Sequence, residues 1–243
     1  MIVNAIDTGW EIIYQQAHAL LAAEIGFSWK PEKRPRFFMQ TLAAIAQHDD
    51  GQKDWTGQYA LTPAGAPANF TQLPFALEQA QQVMEEARFQ GQWRSLLTSL
   101  HLSFLYEALR GQKKEWDAFL DQQRADQKEW QKKLKLRKAE AQHAYDFMQW
   151  CDRFSLILCR RELPEMERTL EISQGPDKLK YEVKQLQNGS VTVHPWPFEP
   201  EALTLEVEAR HLTQLQFNSD QELAQAMWSA PVLRKTWNLE KTE

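Results

Sequence analysis

The segment LKYEVKQLQNGSVTVHPWPF, at residues 179–198, determines whether the chain is purely helical or also contains a sheet. Apolar and polar residues alternate on both sides of its central Asn188-Gly189 pair, and this dipeptide is the strongest short-range signal for a β-hairpin. The segment LTLEVEARHL, at residues 203–212, alternates in the same way and predicts a third strand. The C-terminal region, residues 164–243, is therefore predicted to be rich in β-structure.

The rest of the chain shows helical periodicity, apart from its first residues. Residues 1–14 alternate around the turn sequence DTG and predict a short β-hairpin. From Gln15 onward, apolar residues recur at spacings of three and four, which is typical of amphipathic helices. Helices are predicted over residues 15–26, 36–48, 74–90, 92–110, 113–136, 138–162 and, after the strands, 220–229. We therefore expect a mainly α fold (α+β overall), in which a helical bundle over residues 15–163 is flanked by the N-terminal hairpin and the small β-rich region, and these β segments could form a small common sheet.

The composition limits the classes of protein to which the chain could belong. The 28 basic and 33 acidic residues give a formal net charge of −5, whereas nucleic acids require a broad positive surface. No stretch approaches the roughly 18 consecutive apolar residues of a membrane span. Cys151 and Cys159 lie about 12 Å apart along their predicted helix, which is too far for a disulfide. We therefore expect a cytoplasmic protein with reduced thiols that binds neither nucleic acid nor a membrane.

Four polar residues occur where the helical pattern predicts burial. His18 lies on the first helix, in QQAHALLAAEIG. The pair His48-Asp49 ends the second helix in AIAQHDDG, and Asp152 lies on a late helix in QWCDRFSLIL. A carboxylate among so many apolar neighbours requires a partner, because the burial of an unpaired charge is costly.

This order of a His, a His-Asp pair and a distant Asp resembles the HD superfamily of metal-dependent phosphohydrolases. The segment AAIAQHDDG is similar to the superfamily's apolar helix followed by HD-x-Gly, and CDRFSL is similar to its terminal Asp segment. The resemblance covers about residues 15–162 and implies an HD-like helical bundle. The metal ligands that it implies are His18, His48, Asp49 and Asp152. The whole chain, including the segment PWPF, also resembles an uncharacterised bacterial family with the same constellation, which names no substrate.

The ligand set implied by this resemblance has a clear metal preference. Two imidazoles and two carboxylates form a mixed nitrogen and oxygen set, which suits Mn²⁺, Fe²⁺, Co²⁺, Ni²⁺ or Zn²⁺ better than a thiolate-selective ion. Four protein ligands on a six-coordinate ion leave two positions open for water and a substrate oxygen. The expected cofactor is therefore a divalent transition metal, bound as one ion.

His101, in LLTSLHLSFLY, is a candidate catalytic residue beside the metal. Two-metal proteins of the resembled superfamily use further histidines between the His-Asp pair and the last Asp, and His101 falls in that interval. His143 also falls there, but it lies nine residues before Asp152, about 180° around the same predicted helix. We therefore expect a single ion, with His101 contacting the substrate or assisting proton transfer.

Asp50 and Lys53 complete the candidate catalytic residues. Asp50 could act as a general base, bridge a second ion or cap a turn. Many phosphohydrolases of the resembled type carry Lys or His where this chain has Gln52, so Lys53 is the residue that could take that role. Tyr106 and Arg153 are further candidates for contacts to an oxyanion.

The expected function is metal-dependent hydrolysis of a phosphoester, in a nucleotide or a small phosphorylated metabolite. Two alternatives remain open. An iron-dependent oxygenase could use the same open site, because nitrogen and oxygen ligands also suit O₂ chemistry. A non-catalytic ligand-binding or sensor protein on an HD-like scaffold could use its strand edges to contact a partner. The long charged helix and the strand edges also permit a homodimer.

Overall fold

The computed structural model describes residues 1–50 and 60–242, and within these residues the chain forms seven α-helices and seven β-strands. The helices are α1 (Gln15–Phe27), α2 (Phe38–Ala46), α3 (Leu77–Arg88), α4 (Gln92–Tyr106), α5 (Lys114–Lys133), α6 (Lys138–Cys159) and α7 (Asp220–Ser229). The strands are β1 (Ile2–Ile6), β2 (Gly9–Ile13), β3 (Thr169–Gln174), β4 (Lys180–Gln185), β5 (Val191–His194), β6 (Ala202–Leu212) and β7 (Val232–Glu240).

The fold is α+β, so the prediction of a mainly helical bundle with a small β-rich region is wrong. The structure is 47% helical and 21% strand. Its strands form one large curled sheet in the order β1-β2-β6-β7-β5-β4-β3. The pair β5–β7 is parallel, and the other neighbouring pairs are antiparallel. An HD-like architecture is overturned by the same finding, because the helices pack on a sheet instead of forming a bundle.

The N-terminal hairpin and the C-terminal strands belong to the same sheet. The two predicted hairpins, β1–β2 and β4–β5, are confirmed. Strand β2 then pairs with β6, with Trp10 opposite Leu212 and Ile12 opposite Arg210. The two ends of the chain thus extend one sheet, although the local patterns did not specify which strands pair.

Two strands were missed from the sequence. Strand β3 pairs with β4 at one edge of the sheet. Strand β7 pairs with β6 over nine residues and lies between β6 and β5, so the expectation that α7 closes the chain is wrong. Within β7 only Leu239 is buried. Lys235 interrupts the apolar face formed by Leu233, Trp237 and Leu239, so the alternation of the strand is hard to recognise in the sequence.

The main core lies between the sheet and helices α1, α2, α4 and α6. Trp29 and Trp150 are fully buried at its centre and pack edge to face, with 5.0 Å between ring centroids. Helix α1 contacts α6, α2 and β6. This packing brings the first half of α1, the end of α2 and the middle of α6 side by side.

Two smaller clusters complete the molecule. Helices α3, α4 and α5 share an apolar cluster that includes Met84, Leu102 and Trp116. Helix α7 packs with Ile12 and Leu212 of β2 and β6. None of the helices in the described part of the chain combines the length and apolarity needed to cross a membrane.

Candidate metal centre

The four residues that the sequence singled out as metal ligands meet in one buried cluster. His18 comes from α1, Asp152 comes from α6, and His48 and Asp49 follow α2. The Nε2 atom of His18 lies 2.9 Å from Asp49 Oδ2 and 3.9 Å from Asp152 Oδ1. The Nε2 atom of His48 lies 3.3 Å from Asp152 Oδ1 and 3.6 Å from Asp49 Oδ2. Two imidazole nitrogens therefore face two carboxylate oxygens across a small space.

His48 and Asp49 reach the same cluster because the helix ends before them. Neighbouring residues in a continuous helix point about 100° apart. Helix α2 ends at Ala46, and Gln47 leaves the helical conformation with φ −122° and ψ 13°. The two side chains are thus placed by a turn rather than by helical geometry.

The hydrogen bonds behind the two imidazoles determine which nitrogen of each ring is free. The Ser155 hydroxyl donates to the backbone carbonyl of Asp152 at 2.8 Å, so it accepts a hydrogen bond from His18 Nδ1, which lies 2.9 Å away. His48 Nδ1 donates to the carbonyl of Ile45 at 2.6 Å. Each ring therefore directs its Nε2 atom toward the carboxylates, where the nitrogen can carry a proton or, once deprotonated, bind a metal ion. Metal-binding histidines are held in this way, with the non-ligating nitrogen fixed by a protein acceptor.

The charges in the cluster require a positive charge at its centre. Burial alone would raise the pKa values of Asp49 and Asp152, but the facing imidazoles, His48 above all, outweigh it and hold both pKa values below their usual range. Burial likewise opposes charge on His48, yet the two carboxylates raise its pKa to about 10. A cation at this position would take the place of that proton, since metal binding to such ligands releases protons.

His101 of α4 extends the cluster on the side of His48. One potential ligand atom from each of His48, His101 and Asp152 forms a set within 4.8 Å, as does one from each of His18, His48 and Asp49. Burial and the neighbouring His48 lower the pKa of His101 to about 4, so its ring is neutral. Its Nδ1 atom is buried and has no hydrogen-bond partner among residues 1–50 and 60–242. The sequence had marked His101 only as a catalytic candidate, and its position also suits a metal ligand.

The two sets share His48, and this favours one ion over two. His48 Nδ1 is occupied by the Ile45 carbonyl, so a single lone pair, on Nε2, is available. One lone pair binds one metal ion. The combined set of three imidazoles and two carboxylates fits a divalent transition metal by ligand type, and Asp152 Oδ1 is buried with no donor aligned to it in the described part of the chain.

Gln15 supports the cluster and was missed from the sequence. Its side chain is buried on the first turn of α1, and its amide donates to Asp49 Oδ2 at 3.2 Å. It stands three residues before His18, on the same face of the helix. Ser155 was not predicted either, although it stands three residues after Asp152 and therefore lies on the same face of α6.

Of the remaining predicted residues, Tyr106 lies in the cavity wall, and the others lie elsewhere or outside the described part of the chain. Asp50 faces Arg94, with 3.8 Å between Oδ2 and the guanidinium, and it is not among the described residues that line the cavity. Lys53 lies outside the described residues. Arg153 donates to Glu162 at 3.1 Å, whereas Tyr106 lines the cavity beside the cluster.

A cavity of about 430 Å³ opens onto the cluster. His18, His48, Asp49, His101 and Asp152 all contribute to its wall. Most of the rest of the wall is apolar and comes from α3, α4 and the segment before α3. Substrate-sized pockets have volumes of roughly 300–1,000 Å³, so the cavity could place a small molecule against the metal ligands.

Comparison with known proteins gives a family but no activity. Residues 1–214 match a family described as proteins of unknown function, DUF3891. No curated protein and no solved structure matches the chain. The resemblance to the HD superfamily is thus not supported by the comparison, and the seven-stranded sheet contradicts it. Since the match covers most of the sequence, the chain belongs to the DUF3891 family of proteins of unknown function.

Proposed function

We propose that the chain is a metal-dependent hydrolase that acts on a phosphoester. The observation that carries the proposal is the convergence of His18, His48, Asp49 and Asp152 at the wall of a cavity, with both histidine Nδ1 atoms held from behind. Three separate parts of the chain supply these side chains. Two buried carboxylates that face each other in this way require a positive charge between them, which a protonated imidazole or a bound cation supplies.

Each residue of the site would have a distinct role in such a reaction. His18, His48, Asp49 and Asp152 would hold a divalent cation, and Gln15 keeps Asp49 in position through its amide. The ion would supply a Lewis acid for a phosphoryl oxygen and would acidify the attacking water. His101 stands in the cavity wall as a neutral imidazole. It is placed to accept the proton of that water or to bind the ion as a further ligand.

Metal content is the first test of the proposal. We expect nearly one equivalent of Mn, Fe, Co, Ni or Zn in the purified or reconstituted protein, measured by elemental analysis. The variants His48→Gln and Asp152→Asn should lose it, with folding checked by circular dichroism. His143→Gln is the matched control, because His143 lies on α6 but not in the cavity wall that the structure describes. A wild-type protein that binds no metal after reconstitution would contradict the proposal.

Turnover is the second test. The metal-loaded protein should hydrolyse phosphomonoesters or phosphodiesters, and His48→Gln should reduce the rate at least a hundredfold while His143→Gln retains it. Full metal occupancy without turnover on a broad panel of esters would favour a sensor or ligand-binding protein.

An iron-dependent oxygenase is the second candidate. The observation that favours it is the apolar wall of the cavity, to which no Lys or Arg contributes within the described residues. Oxygen consumption by the Fe²⁺-loaded protein, in the absence of ester hydrolysis, would identify this activity.

We also propose that the protein works in the reducing cytoplasm. Both of its cysteines, Cys151 and Cys159, are buried free thiols. A protein folded in an oxidising compartment more often pairs its cysteines.

A further inference from the structure

We infer that the site takes a phosphomonoester of an alkyl or aryl alcohol, so that the part of the substrate away from the reacting phosphate is apolar. The inference rests on the proposed hydrolase function and adds the class of substrate. It separates apolar esters from nucleotides and sugar phosphates, which the same metal centre could otherwise attack. The inferred substrate class is supported by the chemistry of the cavity wall.

Apart from the candidate metal ligands, the cavity wall is built mainly from apolar side chains. They come from the segment before α3, from α3 itself, from α4 and from α6, and include Leu73, Phe75, Val83, Leu102, Leu105 and Leu156. Three of them remain accessible to water, with exposed fractions of 38% for Leu73, 58% for Phe75 and 37% for Leu105. Exposed apolar side chains grouped at a cavity are typical of a ligand-binding surface. An apolar group of the substrate would cover them.

The described wall contains no cationic side chain that could hold a second phosphate. Its charged side chains are Asp49, Asp152 and Asp220. Arg94 is buried and faces Asp50 instead, with 3.8 Å between their charged atoms. The charge of a divalent cation would be balanced by Asp49 and Asp152. A single phosphoryl group can bind such an ion, whereas the additional charges of a nucleoside diphosphate or triphosphate would meet no cationic side chain among the described residues of the wall.

The wall also has few groups for the recognition of sugars or bases. Outside the metal cluster, the uncharged polar side chains that line the described cavity are Gln15, Gln79 and Tyr106. The amide of Gln15 already donates to Asp49. Specific binding of a ribose or a nucleobase requires several convergent donors and acceptors, because polar groups left unpaired in a pocket weaken binding.

A series of alkylphosphonates tests the inference by binding alone, since their C–P bond resists hydrolysis. The metal-loaded protein would be titrated by calorimetry with methyl-, propyl-, butyl- and hexylphosphonate. We expect the dissociation constant to fall about three- to fourfold for each added methylene until the cavity is full. A phosphonate of equal length with a hydroxylated chain should bind more weakly than its alkyl counterpart.

A pair of matched variants tests whether the gain in phosphonate affinity with chain length arises in this cavity. Leu105→Gln should reduce the affinity for hexylphosphonate severalfold more than the affinity for methylphosphonate. Leu20→Gln is the control, because Leu20 is also exposed on a helix but is not among the described residues of this cavity. It should leave the whole series unchanged.

The outcomes separate this inference from the proposed function. If methylphosphonate binds but longer chains gain nothing, or if nucleoside monophosphates bind better than hexylphosphonate, the inference is overturned and the hydrolase proposal stands. If no phosphonate binds to the metal-loaded protein and no ester is hydrolysed, the proposed function fails, and the substrate class fails with it.

Discussion

The Ser155 hydroxyl fixes which nitrogen of His18 faces the carboxylates. It accepts a hydrogen bond from His18 Nδ1 and donates to the Asp152 carbonyl. We predict that Ser155→Ala weakens metal binding about 10- to 100-fold, as expected when the acceptor behind a ligating histidine is removed. Competition with a coloured chelator measures this change.

Ser95→Ala provides the control for that prediction. Ser95 is equally buried on a helix, and its hydroxyl donates to the Gly91 carbonyl instead of to a histidine. Its removal should leave the metal affinity unchanged. Equal affinities for the wild type and Ser155→Ala would show that His18 is not held by Ser155 for metal binding.

The sequence indicated the main residues of the site more readily than their supports. His18 and Asp152 stand out because each is a polar residue in an apolar stretch of helix, where burial demands a partner, and His48 stands out as part of the His-Asp pair. Gln15 and Ser155 have no such signal, because glutamines and serines are frequent on helices and often bond only to water or to the backbone. Their roles follow from which side chain faces them across the fold, and local sequence does not contain that information.

Three secondary-structure elements are joined by the buried carboxylate of Glu11. From β2 it accepts hydrogen bonds from Arg161, just after α6, at 2.7 Å and from Lys235 of β7 at 2.9 Å. Burial would raise the pKa of Glu11, but Arg161 and Lys235 outweigh it and lower the pKa from 4.5 to about 2. The ionised carboxylate therefore stabilises the junction of these elements.

The pH dependence of stability follows from this lowered pKa. The contribution of Glu11 is complete above its unfolded pKa of 4.5 and is lost as the pH falls towards 2. It amounts to about 3 kcal/mol by linkage. We predict that the free energy of unfolding, measured in urea, falls more steeply between pH 5 and pH 2.5 for the wild type than for Glu11→Gln. Parallel pH profiles for the two proteins would refute this role.

The strands that could be predicted from the sequence were those with a recognisable turn or with one apolar and one polar face. The Asn188-Gly189 turn located the β4–β5 hairpin, and Gly189 adopts a positive φ of 85° there. Strand β7 was not predicted because Lys235 interrupts its apolar face, on which Trp237 and Leu239 pack against the core. Its pairing with β6 over nine residues leaves no pattern in its own sequence.

The whole molecule depends on β7 as an interior strand. It is paired with β6 on one side and β5 on the other. We predict that removal of residues 230–243 prevents folding, since it opens the middle of the sheet and a domain is stable by only about 5–15 kcal/mol. Loss of cooperative thermal unfolding in circular dichroism measures the effect. Removal of residues 241–243 is the control and should retain the transition; a cooperative transition in the shorter protein would contradict the prediction.

The order of the strands could not be derived from the sequence. Local patterns located the first hairpin and the strand over residues 203–212 separately, but their pairing joins residues about 200 positions apart, such as Trp10 and Leu212. Long-range pairing of this kind depends on which edges are free once the helices have packed. The mainly helical prediction was wrong for this reason, because the β segments were expected to form at most a small common sheet beside a helical bundle, whereas seven strands form one large sheet.

The interior position of β7 also affects how the protein is made. The ribosome completes β5 and β6 before it reaches residues 232–240, although β7 must lie between them. At roughly 5–20 residues per second, the nascent chain carries two unpaired strand edges for several seconds. Such edges template pairing with other chains. A translational stall before residue 232 therefore leaves an aggregation-prone polypeptide that requires protection by chaperones until synthesis resumes.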